Sequence, residues 1–325
     1  MRPVLRIVLP GGSGQVGRLL AQHFHTQGHH VTVLSRNAKA PTPETPWQTI
    51  AWDAQTEGNW VGTLDGADLC INLTGRSVNC RYHAANRKAI YDSRILSTQL
   101  LNRVIAKLAD PPRLWMNAST ATIYRHSYDR LNDEATGELG GNEPGAPDTW
   151  NFSIKVAKDW EQAFFATEIQ GVRKIALRSA VTFSADRGGI FAVLSNLVRR
   201  GLGGANGNGR QMVSWIHGAD FLRAIDFLIE NESLFGVVNL ASPNPLPNHQ
   251  FMQTLRRAWG IPIGLPAPAW MIEIGCFLLQ TESELVLKSR NAVPGKLLEA
   301  GFLFQFPDWP AATTDLVRQW REQRL

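Results

Sequence analysis

Cysteine is scarce in this chain: 3 among 325 residues, at positions 70, 80 and 276, with no paired spacing. That excludes a disulfide scaffold and a Cys-x-x-Cys zinc site, and no metal is expected. Long apolar runs are missing too. The longest candidate, residues 267–279, carries Glu273 and falls short of the roughly 18 residues a membrane-spanning helix needs. A secretory signal is not expected either, because the apolar stretch at residues 4–9 runs straight into a glycine cluster. Nor does one sign of charge dominate: 33 Lys and Arg face 28 Asp and Glu, a formal net charge of +5. The basic pairs Arg199-Arg200 and Arg256-Arg257 are isolated, and no basic stripe interleaves with aromatics, which argues against nucleic acid as a partner. A small anionic ligand suits the mild bias as well. What is present is 44% apolar and 19% charged, enough for a proper core and too apolar for a disordered chain. The expectation is a soluble, cytoplasmic protein with no membrane contact, made of one large domain or a core with an appendage.

The first half alternates between strand and helix signals. Residues 4–9 form a short apolar run suited to a strand buried on both faces. Residues 15–27 follow with Val16, Leu19, Leu20 and Phe24 on one helical face, and Gly28 stops them. Further strands are expected at residues 30–35, 68–73, 113–118 and 172–178, with helices over 87–109 and about 152–167. Such alternation implies a parallel, doubly wound α/β sheet. Past Ala180 the pattern loosens, with a helix expected over 220–231, N-capped by Asp220, and a strand over 237–241. The expected division is a dinucleotide-binding core of residues 1–182 plus about 212–242. A smaller lobe of about 183–211 plus 243–325, richer in Gly, Pro and Trp, would supply the substrate side.

Gly11-Gly12-Ser13-Gly14-Gln15-Val16-Gly17 sits between the first strand and the first helix. The first glycine of Gly11, Gly14 and Gly17 permits the tight turn, and the second lets main chain approach a pyrophosphate. The third lets the helix pack closely on the sheet. The phosphates then meet free N–H groups at the helix N-terminus. An NAD site places an Asp or Glu about 20 residues further on, for the ribose 2′-OH. Here Ser35 and Arg36 occupy that place, and a hydroxyl beside a guanidinium suits a 2′-phosphate. NADP(H) is therefore expected over NAD(H).

Together with Asn72-Leu73-Thr74-Gly75 after the fourth strand, this turn resembles the extended short-chain dehydrogenase/reductase family, of the nucleotide-sugar epimerase type. The resemblance implies a seven-strand, mostly parallel Rossmann-type sheet with a small C-terminal substrate lobe. It puts Leu73, Thr74 and Gly75 on the cofactor, Asp53 at the adenine, and Thr120, within Ser119-Thr120-Ala121-Thr122-Ile123-Tyr124, at the catalytic Ser/Thr. Trp160-Glu161, Gly209-Arg210-Gln211, Ser214-Trp215-Ile216-His217 and Pro294-Gly295-Lys296-Leu297-Leu298 are similar to one branch, whose members carry a C-terminal domain of unknown function. Members of that branch are called epimerase-family or cell-division-inhibitor-like proteins.

The family's chemistry uses a Tyr-x-x-x-Lys pair on one helical face, where the lysine lowers the tyrosine pKa for proton exchange with a carbinol. In Trp150-Asn151-Phe152-Ser153-Ile154-Lys155, Lys155 matches the lysine and would hold the nicotinamide ribose, while Asn151 stands at the tyrosine. An amide cannot shuttle a proton near neutrality. Tyr124 and His126 are the candidate replacements. Arg94 falls where the family has an asparagine and would hold a substrate carboxylate or phosphate, or else simply cap a helix or pair with an acid such as Asp92. Arg210 and Gln211 are further anion-binding candidates. His217 reads as a packing residue, and His23, His25, His29 and His30 as surface residues without a shared metal face. Two functions stay open: an NADP(H)-dependent oxidoreductase or epimerase acting on a small, nucleotide-sugar-like or anionic molecule, and a cofactor-binding regulatory protein that has lost proton transfer. Related folds pair through two helices, so a homodimer is the one protein partner the resemblance suggests.

Overall fold

The structure, a computed structural model, describes residues 3–38 and 40–323; residues 1, 2, 39, 324 and 325 lie outside it. Eleven strands occur among the described residues: β1 (Arg6–Pro10), β2 (His30–Ser35), β3 (Gln48–Ala51), β4 (Leu69–Asn72), β5 (Leu114–Thr120), β6 (Arg173–Ser179), β7 (Val181–Phe183), β8 (Met212–Val213), β9 (Trp215–His217), β10 (Gly236–Leu240) and β11 (Leu246–Pro247). The α-helices are α1 (Gln15–Thr26), α2 (Ala84–Ile105), α3 (Asp148–Phe165), α4 (Ile190–Arg199), α5 (Gly218–Glu230), α6 (Asn248–Trp259), α7 (Ala269–Leu278), α8 (Glu284–Leu287), α9 (Gly295–Glu299) and α10 (Trp309–Glu322).

Seven strands form one sheet in the order β10-β6-β5-β4-β1-β2-β3. Every pairing within it is parallel. Both faces are covered, so neighbouring side chains on a strand enter different cores. Ile7 and Leu9 pack with Phe24, Leu69, Ile71 and Phe221 on one side, while Val8 joins Cys70, Trp115 and Phe164 on the other. That double burial is why these strands read as continuous apolar runs. From β1 the chain winds outward through β2 and β3, then crosses back to β4 and winds the other way. The crevice at that reversal, outside the carboxyl ends of β1 and β4, is where such sheets receive ligands.

A second core lies beyond the sheet: Phe183, Phe191, Trp215, Phe251, Trp309, Leu316 and Trp320 are buried together, with Phe251 and Trp309 stacked at 4.1 Å. The lobe is not free-standing, since Leu297 and Phe302 enter the sheet's own core. Residues 288–293 run back across the loop after β5. Lys288 donates to the Thr122 carbonyl at 2.8 Å, and Ser289 donates to the Ser127 carbonyl. Burial pushes the Lys288 ammonium down to about 7.

One expected cap is corrected. Helix α5 starts at Gly218, and the His217 Nδ1 accepts from the Ala219 N–H at 3.1 Å, so His217 caps it. Asp220 lies within the first turn and accepts the backbone N–H groups of Gln305 and Phe306 at 2.7 and 2.8 Å. Its carboxylate ties the C-terminal segment to the helix. The sequence shows an acid near a helix start, but only the fold reveals which main chain comes to meet it.

Candidate active site

At the β1 end of the crevice the main chain does the shaping. Gly11 has φ +73°, and a Cβ there would lie 2.8 Å from the Thr74 N and Cα. A Cβ on Gly17 would lie 2.4 Å from the Gly12 carbonyl oxygen, so α1 approaches the turn closer than any side chain allows. Gly14 is the N-cap of α1 and offers no side-chain cap, which leaves the first N–H groups of the helix unclaimed by this residue. The Thr74 Oγ1 beside the turn is buried without a hydrogen-bond partner among the described residues. An orphan hydroxyl and a glycine cradle at a helix N-terminus fit a dinucleotide pyrophosphate.

Around the cradle, the Ser35 hydroxyl donates to Ser13 Oγ at 3.1 Å, and Gln15 donates to Ser184 Oγ at 3.1 Å, linking turn and lobe. Gly12 packs against Leu9 and Val33, and Val16 packs on the sheet core. Leu73 donates its N–H to the Pro10 carbonyl at 2.8 Å, and Gly75 lies under the Arg94 guanidinium. Exposed Arg36 and Asp53 line a second, open cavity of about 600 Å³ with Trp52 and Trp60. The Asp53 carboxylate accepts from Gln55 N, Thr56 N and Thr56 Oγ1, and these bonds hold it below the ordinary carboxylate range.

The proton-transfer end departs from expectation. Helix α3 presents Phe152, Ser153, Val156, Ala157 and Trp160 to a cavity of about 240 Å³ that also touches Ser119 and Thr120. Asn151 and Lys155 do not line it. Lys155 is exposed and pairs with Asp159 one turn along, and that partner raises its pKa. The physical reason is helical periodicity: two residues turn about 200°, so positions 151 and 155 lie opposite 153 and 157. The pair spaced for a tyrosine and lysine and facing the cavity is therefore Ser153 and Ala157.

Tyr124 is also withdrawn as a proton donor. Its hydroxyl is buried 2.9 Å from Asn239 Oδ1 and accepts from Arg178 Nη1 at 3.0 Å, and burial raises its pKa. Arg178 in turn makes a bidentate pair with Glu161, at 2.8 and 2.7 Å, and Ser119 Oγ donates to the same carboxylate at 2.6 Å. Glu161 thus fastens α3 to β5 and β6. His126 Nδ1 accepts the Ser289 N–H at 2.9 Å, and burial lowers its pKa. Gln211 is corrected as well: its amide is buried and donates to the Asn206 and Val286 carbonyls, away from the cavity. Arg210 is exposed and stands 5.6 Å from the Tyr128 ring, also outside it.

Arg94 does line the cavity. It donates to the Ile90 and Arg76 carbonyls, lies 5.2 Å from the Trp160 ring and has no carboxylate partner among the described residues. Burial brings its pKa down to about 10. Asp92, the pairing alternative, binds Lys88 instead. Thr120 lines the same space, its Oγ1 accepting from the Thr122 N–H at 3.1 Å. Opposite stand two residues that sequence reasoning missed, Glu284 and Arg290. Ser153 Oγ donates to Glu284 Oε2 at 2.6 Å, and Arg290 donates to Thr122 Oγ1 at 3.0 Å. In the sequence they belong to a mixed-charge stretch, Glu282-Ser283-Glu284-Leu285-Val286-Leu287-Lys288-Ser289-Arg290, that looks like a solvated helix face.

Comparison with known proteins agrees with this architecture. Residues 7–241 match the NAD dependent epimerase/dehydratase family, and residues 267–316 match a domain of unknown function, DUF1731. The chain is 30% identical over 315 residues to the epimerase family protein YfhF of Bacillus subtilis, covering 96% of this chain and 98% of that one. It is 28% identical to the human epimerase family protein SDR39U1 over 96% of its own length and 100% of the relative's. A crystal structure of human SDR39U1 (isoform 2) with NADPH superposes with a TM-score of 0.83 at 27% identity, covering 97% of this chain and 99% of that one. A seven-strand parallel sheet, a glycine cradle at its switch point and a family match across most of the chain together make this an NAD(P)-binding member of the NAD dependent epimerase/dehydratase family, carrying a C-terminal DUF1731 domain.

Proposed function

We propose that the chain is an NADP(H)-dependent oxidoreductase or epimerase whose substrate is a small carbonyl or carbinol compound carrying an anionic group. The observation that carries this reading is Arg94, a half-buried guanidinium with no carboxylate partner among the described residues, lining the same cavity as Thr120. Partial withdrawal of a charge from water is costly unless an opposite charge visits it, and perturbed titratable groups gather in functional clefts. A cavity of about 240 Å³ suits a small substrate.

The nicotinamide carrier, when bound, supplies the hydride chemistry. In this reading the N–H groups of the turn from Gly11 to Gly17 hold its pyrophosphate, Ser35 and Arg36 take the 2′-phosphate, and Asp53 lies at the adenine. Thr74, with Leu73 and Gly75 beside it, closes the cradle against the carrier. Thr120 holds the reacting oxygen, and Arg94 orients the substrate by its anionic end. The NADPH bound by human SDR39U1 supports the phosphorylated carrier.

A second reading, a cofactor-binding regulatory protein, is favoured by one feature: Ser153 and Ala157 face the cavity where a tyrosine and lysine would do the proton work. Fluorescence of bound NADPH separates the two. Loss of the signal on adding small oxo-acids or nucleotide sugars supports the enzyme. A stable signal through both panels, with a saturable isotherm for NADPH, supports the regulator.

A further inference from the structure

Among the described residues, the one carboxyl group lining the cavity comes from the C-terminal domain. Glu284 opens α8, is 1% exposed, and reaches the Ser153 hydroxyl, which donates to its Oε2 at 2.6 Å. Ser153 is the α3 residue one turn before Ala157, the place from which a tyrosine would address a substrate oxygen. Glu284 Oε1 is buried with no hydrogen-bond partner among the described residues, and Arg290 Nη2 stays 3.8 Å from it. One oxygen is therefore positioned by α3 while the other is left for a ligand.

We propose that Glu284 is the proton donor and acceptor of this cavity, delivered by the C-terminal domain to the position where a tyrosine would otherwise act. The inference rests on the oxidoreductase reading above. In the reducing direction Glu284 gives its proton to the substrate oxygen as the adjoining carbon accepts a hydride. The carbonyl π pair forms the new O–H bond, and the hydride pair forms the new C–H bond. The reductant is a reduced nicotinamide dinucleotide, left oxidised; the carboxylate remains beside Arg290 and regains a proton from solvent. Oxidation runs the same transfers in reverse. Ser153 is a positioning residue, since its hydroxyl fixes Oε2.

The surroundings suit a carboxyl that changes charge. Burial raises its pKa, Arg290, the Ser153 hydrogen bond and Lys288 pull it back, and Glu282 raises it again; the Tyr82 phenol is a further titratable neighbour, and the Arg94 guanidinium lines the same cavity. A general acid works best with a pKa near the operating pH.

The test uses the full chain loaded with NADPH. Carbon-13 NMR of protein labelled at the glutamate carboxyl carbon, with Glu284 assigned by its loss in Glu284→Gln, follows its titration from pH 4 to 9. A midpoint above the ordinary glutamate value of about 4.3 is expected, and a midpoint at or below it overturns the proposal. The second measurement is NADPH consumption with 2-oxobutanoate, a small oxo-acid. Glu284→Gln is expected to lower kcat roughly a hundredfold, within the range of general acid catalysis, and to remove the alkaline limb of the pH profile. Glu284→Asp regains part of the rate. NADPH affinity and the melting temperature check that both variants fold. Unchanged kcat in Glu284→Gln overturns this inference alone, whereas a wild type inert towards 2-oxobutanoate and the other oxo-acids and nucleotide sugars overturns the oxidoreductase reading and this inference with it.

Discussion

Main-chain groups make the dinucleotide end of the crevice, whereas side chains from three distant segments make the other. Gly11 to Gly17 form their cradle within one turn, with Thr74 closing it from the neighbouring loop. The opposite cavity gathers Arg94 from α2, Ser153 from α3, and Glu284 and Arg290 from the C-terminal domain. The difference teaches where each kind of site is written. A site built from backbone amides needs particular residues at fixed local spacing. A site built from side chains needs only that the fold bring them together, so its parts can be exchanged between segments.

The largest expected effect strikes what holds the side-chain end in place. Glu161→Ala leaves the buried Arg178 guanidinium unpaired and should cost about 3–5 kcal/mol of stability, measured by urea unfolding. A loss under about 1 kcal/mol would mean that the α3 anchor is not the ion pair. Next, Gly17→Val forces a side chain against the Gly12 carbonyl. NADPH affinity should fall about a hundredfold, close to 2.7 kcal/mol, as followed by fluorescence titration; intact binding would show that the cradle tolerates a Cβ. Arg36→Ala sharpens the comparison at the rim, where one charge-assisted contact is at stake. It should weaken NADPH about tenfold, roughly 1.4 kcal/mol, and leave NADH unchanged.

A smaller effect is in the pH dependence of stability. Glu284 has a raised folded pKa, so the folded state holds a proton that the unfolded chain has released. Its contribution is full below the ordinary glutamate value of about 4.3 and is lost as pH rises through the folded value. Wild type should therefore lose stability relative to Glu284→Gln across that window, in paired melts from pH 4 to 8, and parallel curves would refute it. Smallest of all is Lys155→Ala. An exposed i,i+4 pair contributes about 0.3–0.5 kcal/mol, and NADPH affinity should not change. A large loss of cofactor binding would return Lys155 to the site.

The sheet was readable because its signals are local. Double burial gives continuous apolar strands, Gly28 ends α1, and the glycine spacing at 11, 14 and 17 marks the cofactor turn. Arg94 was readable as an odd residue at a motif position. The register of α3 was not, because one lysine in a helix with several charged residues can be matched to a four-residue spacing in more than one way. Only packing on β5 and β6, through Glu161 and Arg178, decides which face looks inward. Glu284 and Arg290 escaped for a different reason. They lie well over 100 residues from α3, and nothing in their local pattern records that α8 and the segment after it fold over the cavity.

The most direct test is a paired fluorescence titration of the purified wild-type chain with NADPH and NADH. Saturable binding of both, with NADPH at least about tenfold tighter, is the result expected from a glycine cradle with Ser35 and Arg36 at its rim. No binding of either carrier at millimolar concentration, or equal affinity for the two, would contradict it.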